Sequence, residues 1–261
     1  MDNKALLDWY LLAGVDEVVG DSPVNRLLAP PEPPVAVETS PAKPPAAKLS
    51  VLHIGAASPI AAATVARAAA DRCQSLAELR EAVFAFDGCS LKKTASKTVF
   101  ADGNPDSGLM IIGEAPGAQE DLQGIPFCGP SGALLDKMLA SIGLSREGCY
   151  ITNTVFWRPP GNRQPSPEET AICLPLVEKH IALVRPKLIL LAGGTATSTL
   201  LGQDSSLSRL RGKIHRYSNQ YLGADIRTLV TYHPSYLLRT PAHKKYAWSD
   251  LLKLKKLMEE H

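Results

Sequence analysis

The chain has 261 residues, a formal net charge of +2 and an apolar fraction of 45%, enough for one sizeable core with room for an extension. A balance so near neutral excludes recognition of nucleic acid or anionic lipid by bulk charge and leaves only a local basic face. The cysteines Cys73, Cys89, Cys128, Cys149 and Cys173 are odd in number, widely spaced and without a CxxC, which excludes a disulfide framework and a zinc ribbon and fits reduced thiols in a cytoplasmic protein.

Taken in order, residues 3–13 have helical period, with Leu6, Leu7, Tyr10 and Leu11 on one side. The acids spread through MDNKALLDWYLLAGVDEVVGD are not those of a signal peptide, and no apolar run approaches the ~18 residues of a membrane span, so no membrane partner is expected. Residues 1–29 therefore form an N-terminal helical segment that could engage a protein partner. Residues 30–57 form a Pro/Ala-rich linker, PPEPPVAVETSPAKPPAAK over 30–48, whose repeated prolines favour extended backbone. A helical lead-in spans 58–85: Ser58-Pro59 starts one helix, and Ser75 with Glu78 makes a capping box ahead of Leu76, Leu79 and Val83.

The main domain covers 86–261. Lys97–Ala101 is a candidate strand, and DGNPDSG over 102–108 is turn-forming. LMII at 109–112 is a short buried strand, followed by a loop bearing Glu114, Glu120 and Asp121. Ser131–Ile142 has helical period, Cys149–Val155 is β-rich, and FWRPPGNRQ is a loop. Ser166-Pro167 with Glu169 starts a helix to about Val184. Lys187–Ala192 and Arg227–Tyr232 are further strands, with a helix from Thr195, a hairpin near Ile214, a loop HPSYLLR and a last helix over Ala242–Met258. Repeated strand–helix alternation predicts a three-layer α/β/α fold around a central four-stranded parallel sheet.

In such a fold the loops after the strands open on one rim. Glu114, Asn153, Gly193-Gly194 and His233 all fall just after strand ends, and Phe127 lies in the connection that follows the first of them. An acid, an amide, a histidine and an aromatic ring on one rim can hold a flat heterocycle, its face stacked and its edge hydrogen-bonded. A basic rim for phosphate contacts is available from Arg158, Arg163, Arg211, Lys213 and Arg239.

These residues sit in six blocks: GEAPGAQED at 113–121, GIPFCGPSG at 124–132, YITNTV at 150–155, RPPGNRQPSPEE at 158–169, LILLAGGTA at 188–196 and HPSYLLR at 233–239. In this order, over roughly 86–258, the chain resembles the uracil-DNA glycosylase superfamily, closest to its family 4. The resemblance implies a monofunctional glycosylase that removes uracil from DNA and leaves an abasic site, acting as a monomer. It implies catalytic roles for Glu114, Glu120 and His233, and a base pocket of Phe127, Asn153, Ala115 and Gly117. It implies DNA contacts from the 233–239 block, with Ser235 at phosphate and Leu237 and Leu238 wedging into the duplex. Other readings on the same residues are a glycosylase for hypoxanthine or xanthine and a non-catalytic binder of uracil or abasic DNA.

The family holds a [4Fe–4S] cluster on four cysteines. Only Cys89 and Cys173 match here; the other two positions are Phe86 and Trp157. Two thiolates are not a cubane ligand set, so no cluster and no other metal or cofactor is expected. The loop FWRPPGNRQ also lacks the histidine through which a related group bonds DNA covalently, so no such adduct is expected.

Overall fold

The computed structural model describes residues 58–203 and 205–260; the segments expected over 1–29 and 30–57 lie outside the described residues. The first described element is α1, Pro59–Arg72. Ser58 accepts the Ala61 N–H at 3.3 Å, and Pro59 sits in the first turn, where its missing N–H has no intrahelical partner to lose. Ala62, Ala66 and Ala70, four apart, are buried, and their small side chains let α1 lie close against α5, Pro167–Val184. Helix α2, Leu76–Ala85, is capped in both directions. Ser75 accepts the Glu78 N–H at 3.2 Å, and the Glu78 carboxylate accepts the Gln74 N–H at 2.7 Å. Leu79 and Val83 face the same core.

The strands are β1 Asp102–Gly103, β2 Leu109–Gly113, β3 Tyr150–Asn153, β4 Leu188–Ala192, β5 Ile214–Tyr217 and β6 Ile226–Thr231. They form one sheet in the order β1-β3-β2-β4-β6-β5. The inner four are parallel, as expected, and β1 and β5 add antiparallel edges. The sheet is therefore mixed and six-stranded. Edge β1 escaped the sequence reading because it has only two residues, whereas β5 begins where a hairpin was expected, at Ile214, and pairs with β6. Residues 97–101 do not form the expected strand. They make single hydrogen bonds (Val99 N–H to Phe156 O, Thr152 Oγ1 to Phe100 O), and ladder pairing starts only at Asp102.

Helices cover both faces, and the strands alternate between two cores. Met110, Ile112, Ile189 and Leu191 join one cluster with α1, α2 and α5. Leu109, Ile111, Leu188 and Leu190 join the other with α4, Pro130–Ala140, and α9, Lys244–Glu259. At about 1.5–3 kcal/mol for each fully buried large side chain, this two-sided burial fixes the register of the inner strands. The remaining helices are α3 Ala118–Gln123, α6 Gly194–Leu201, α7 Leu207–Leu210 and α8 Pro234–Arg239. The expected HPSYLLR loop is thus mostly helix, because His233 supplies the cap and Pro234 the first helical residue. No helix among the described residues is long and apolar enough to cross a membrane.

Behind β6 lies a buried ionic knot. Asp250 of α9 is 1% exposed. It accepts from Thr231 Oγ1 at 2.9 Å and from Arg211 Nε at 3.0 Å and Nη2. Burial pushes the Asp250 carboxyl up, against the opposing pull of Arg211 and Thr231. Gly212 is required beside it: its φ is +68°, and a Cβ there would stand 2.8 Å from Asp250 Oδ1. Asp250→Ala removes the carboxylate partner of the largely buried Arg211 guanidinium and of the buried Thr231 hydroxyl, and is expected to lower the unfolding free energy by about 3 kcal/mol in a urea titration.

Candidate active site

The inner strands end in register. Gly113 pairs with Asn153, and Ala192 with Thr231. Above these ends opens a cavity of about 740 Å³, lined among others by Glu114, Phe127, Asn153, His233, Gln164 and Arg239. The four groups expected to share a rim therefore face one cavity. Ala115, Gly117, Glu120, Arg163 and Ser235 line it too.

Glu114 follows β2 directly. Its backbone oxygen accepts from Val155 N–H at 3.2 Å and Thr154 Oγ1 at 2.7 Å, which ties it to the end of β3. Its carboxylate accepts from the Thr195 hydroxyl at the start of α6. Glu120, in the first turn of α3, is buried, and both its oxygens are engaged. Oε2 accepts the Gly117 N–H at 3.1 Å, and Oε1 the Gly129 N–H at 2.8 Å. One carboxylate thus clasps the loop after β2 to the loop before α4.

Phe127 lies on that second loop with φ +52°, the left-handed region that side chains rarely adopt. Two features hold it there. Gly132 of α4 packs so close that a Cβ would fall 1.6 Å from Phe127 O. Arg146 donates Nη1 to Phe127 O at 3.0 Å and Nη2 to Pro126 O, while pairing with Asp102 and Asp136. The Phe127 ring stacks on His233, with centroids 5.4 Å apart and planes 28° apart. Gly113 makes room for both the ring and the amide, since a Cβ there would lie 2.5 Å from Phe127 Cζ and 2.5 Å from Asn153 Oδ1. Asn153 ends β3, and among the described residues its amide has no hydrogen-bond partner, so donor and acceptor are both free for a ligand.

His233 caps α8. Its Nδ1 accepts the Ser235 N–H at 3.1 Å and lies 2.8 Å from Ser235 Oγ. With Nδ1 committed as acceptor, the neutral ring carries its proton on Nε2. Burial, helped by Arg239, lowers the His233 pKa to about 4, so the ring is a neutral Nε2–H donor at physiological pH.

The outer residues divide. Arg239 and Lys213 are exposed. Leu238 is 44% exposed, whereas Leu237 is 1% exposed and packed in the second core cluster. Of the expected wedge pair only Leu238 is therefore at the surface, because the helical turn of α8 points neighbours in different directions. Arg211, expected at DNA, is engaged by Asp250 and Tyr246 O. Arg163 makes a two-pronged ion pair with Glu169, at 2.8 and 2.7 Å. Arg158 donates to Asn162 Oδ1 at 2.7 Å. Sequence reasoning missed Thr195, Gln164 and Arg146. Each acts through a partner distant in the chain, and no local spacing announces such a contact.

Cys89 and Cys173 are fully buried; the neighbouring Cys89 thiol and burial push the Cys173 thiol well up. Beside them Phe86 stacks on Trp157 at 6.3 Å, and Trp157 Nε1 donates to Thr98 Oγ1 at 2.9 Å. Two thiols and two aromatic rings do not fit a four-thiolate cluster. Cys149 belongs to the opposite core, and no group of three or more His, Cys, Asp or Glu suited to a metal occurs among the described residues.

The model of the uracil DNA glycosylase superfamily matches residues 100–252. A type-4 uracil-DNA glycosylase of Archaeoglobus fulgidus is 36% identical over 188 residues, which cover 70% of this chain and 94% of that protein. A type-4 uracil-DNA glycosylase of Pyrobaculum aerophilum is 37% identical over 180 residues, covering 67% and 91%. One of Thermotoga maritima is 35% identical over 175 residues, covering 66% and 88%.

The geometry at His233 is open to direct measurement. In a nitrogen-resolved NMR titration its ring is expected to be the Nε2–H tautomer at neutral pH and to take up a proton only near pH 4. Because its folded pKa is depressed, its contribution to stability is complete above the unfolded value of about 6.5 and is lost as pH falls towards 4.

Proposed function

This chain belongs to the uracil DNA glycosylase superfamily, and on that premise we propose that it flips uracil out of DNA and hydrolyses its N-glycosidic bond, leaving an abasic site. The observation that carries this reading is the convergence of Glu114, Asn153 and His233 with the Phe127 ring on one cavity.

Each group suits a part of the chemistry. Phe127 offers its face to the base. The free Asn153 amide matches the N3 donor and O4 acceptor of uracil; cytosine reverses both, and would leave buried polar groups unpaired. The glycosidic bond breaks towards an oxocarbenium-like sugar and a uracil anion. A neutral His233 Nε2–H aimed at O2 stabilises charge that develops only in the transition state. Glu114 holds the attacking water and favours the cationic sugar. Glu120, its oxygens occupied by two backbone N–H groups, keeps the base-binding loops together and acts on the base through them. Ala115 and Gly117 complete the pocket wall.

Outside the pocket, Leu238 fills the gap left by the extruded base. Ser235, Arg239, Lys213 and the remaining donors of Arg158 and Arg163 meet phosphates, so affinity falls as salt rises. The enzyme works as a monomer in the cytoplasm, with residues 1–29 as the site for a protein partner. No step is routed through an iron–sulfur cluster: the Phe86–Trp157 stack does the packing that a cluster would do. Purified under anaerobic conditions, the protein is expected to be colourless and free of iron by elemental analysis; stoichiometric iron would overturn this part of the reading.

The activity is tested with labelled oligonucleotides carrying one uracil, thymine or hypoxanthine, each treated with hot alkali after incubation. Cleavage of the uracil strand, dependent on alkali, is the expected result. Glu114→Ala is expected to lower its single-turnover rate by roughly 10²–10⁴-fold. Cleavage of the hypoxanthine strand alone would move the protein to another base. A gel shift on uracil DNA without cleavage would make it a binder.

A further inference from the structure

The Glu114 carboxylate ends a three-member hydrogen-bond chain. Gln164 Nε2 donates to Thr195 Oγ1 at 2.6 Å, and Thr195 Oγ1 donates to Glu114 Oε2. Its direction is forced. An ionised carboxylate only accepts, so the single hydroxyl proton of Thr195 must point at Glu114. The hydroxyl lone pairs then receive an N–H, and the Gln164 amide supplies it. The members stand on three separate connections: after β2, in the loop between β3 and α5, and at the start of α6.

The chain is anchored at its far end. Arg163 Nη1 donates to Gln164 O at 3.0 Å while the same guanidinium grips Glu169. Glu169 in turn accepts the Ser166 N–H at 2.8 Å in the capping box of α5. Thr195 is 7% exposed and does not line the cavity, so any effect it has on a bound base passes through Glu114. Glu114 Oε1 has no partner among the described residues, and the residue lines the cavity.

We propose that Thr195, seated by Gln164, is the positioning residue of Glu114: it pins one carboxylate oxygen and so presents the other to the attacking water. This rests on the glycosylase reading above. It assigns the loop between β3 and α5 a part in catalysis that does not require it to touch the base.

The test is Thr195→Val, which keeps the side-chain shape and removes the donor. The single-turnover rate of uracil release is expected to fall about tenfold, with the enzyme concentration at half-saturation changed by less than about twofold. Thr195→Ser restores the rate. In a Glu114→Ala background, Thr195→Val is expected to cost nothing further, since the two residues act as one unit. A thermal melt checks folding. If the valine variant does not fold, Gln164→Leu on the exposed loop replaces it, with a smaller loss that also vanishes in the Glu114→Ala background. A Thr195→Val rate within about twofold of wild type, or an undiminished loss in the Glu114→Ala background, would overturn the proposal. An active wild type with an unimpaired variant sinks this proposal alone. A wild type that releases no uracil overturns the parent reading and this one with it.

Discussion

Strand β2 is enclosed on every side. Its residues are buried on both faces, and β3 and β4 pair with its two edges. Such a strand has no place for a polar side chain along its length, because an unpaired polar group there would cost several kcal/mol of desolvation, on the order of 2–7. Reactive groups must therefore wait until the strand stops. Strand β4 obeys the same constraint, and the buried threonines inside β3 and β6, Thr152 and Thr228, are hydrogen-bonded to backbone oxygens. Since the ends of these strands are held in register, the first polar residues after each are delivered to the same rim. The site is where a buried parallel sheet first meets water.

What the sequence made legible follows from that constraint. Short apolar runs ending in Gly-Glu, Asn-Thr, Gly-Gly and His-Pro mark where each inner strand gives way to chemistry, and Ser-Pro pairs mark the helix starts. Features that depend on contacts across the fold were not legible. Leu237 and Leu238 are adjacent and identical, yet one is core and the other solvent, and only the helical turn of α8 decides between them. Arg211 looks like any surface cation until Asp250, far along the chain, is brought beneath it. Arg146 lies in a polar turn with no pattern around it, and its importance comes from the two backbone carbonyls it holds near Phe127. Edge strand β1 was missed because an edge needs few apolar residues.

The stacked pair Phe86 and Trp157 ties two separate parts of the chain together. Phe86 follows α2, and Trp157 immediately precedes the Arg158–Pro159 loop over the cavity. Trp157 is fully buried, hydrogen-bonded to Thr98, and in edge contact with Phe156 at 5.9 Å. The stack thus fastens the helical lead-in and the pocket loop to a common point. Indole and phenyl rings bring area and a single hydrogen bond to that task, and the buried thiols of Cys89 and Cys173 pack in the same cluster as small apolar groups.

Gly113 limits how this site can change over evolutionary time. Its hydrogen stands where any side chain would collide at once with the Phe127 ring and with the Asn153 amide. A mutation there cannot alter one function and spare the other. Selectivity for a different base therefore cannot be reached gradually from inside the sheet. It must be explored through the loops at 115–117 and 158–164, where one contact can be altered while its neighbours stay in place, and the strand beneath is left as an inherited constant.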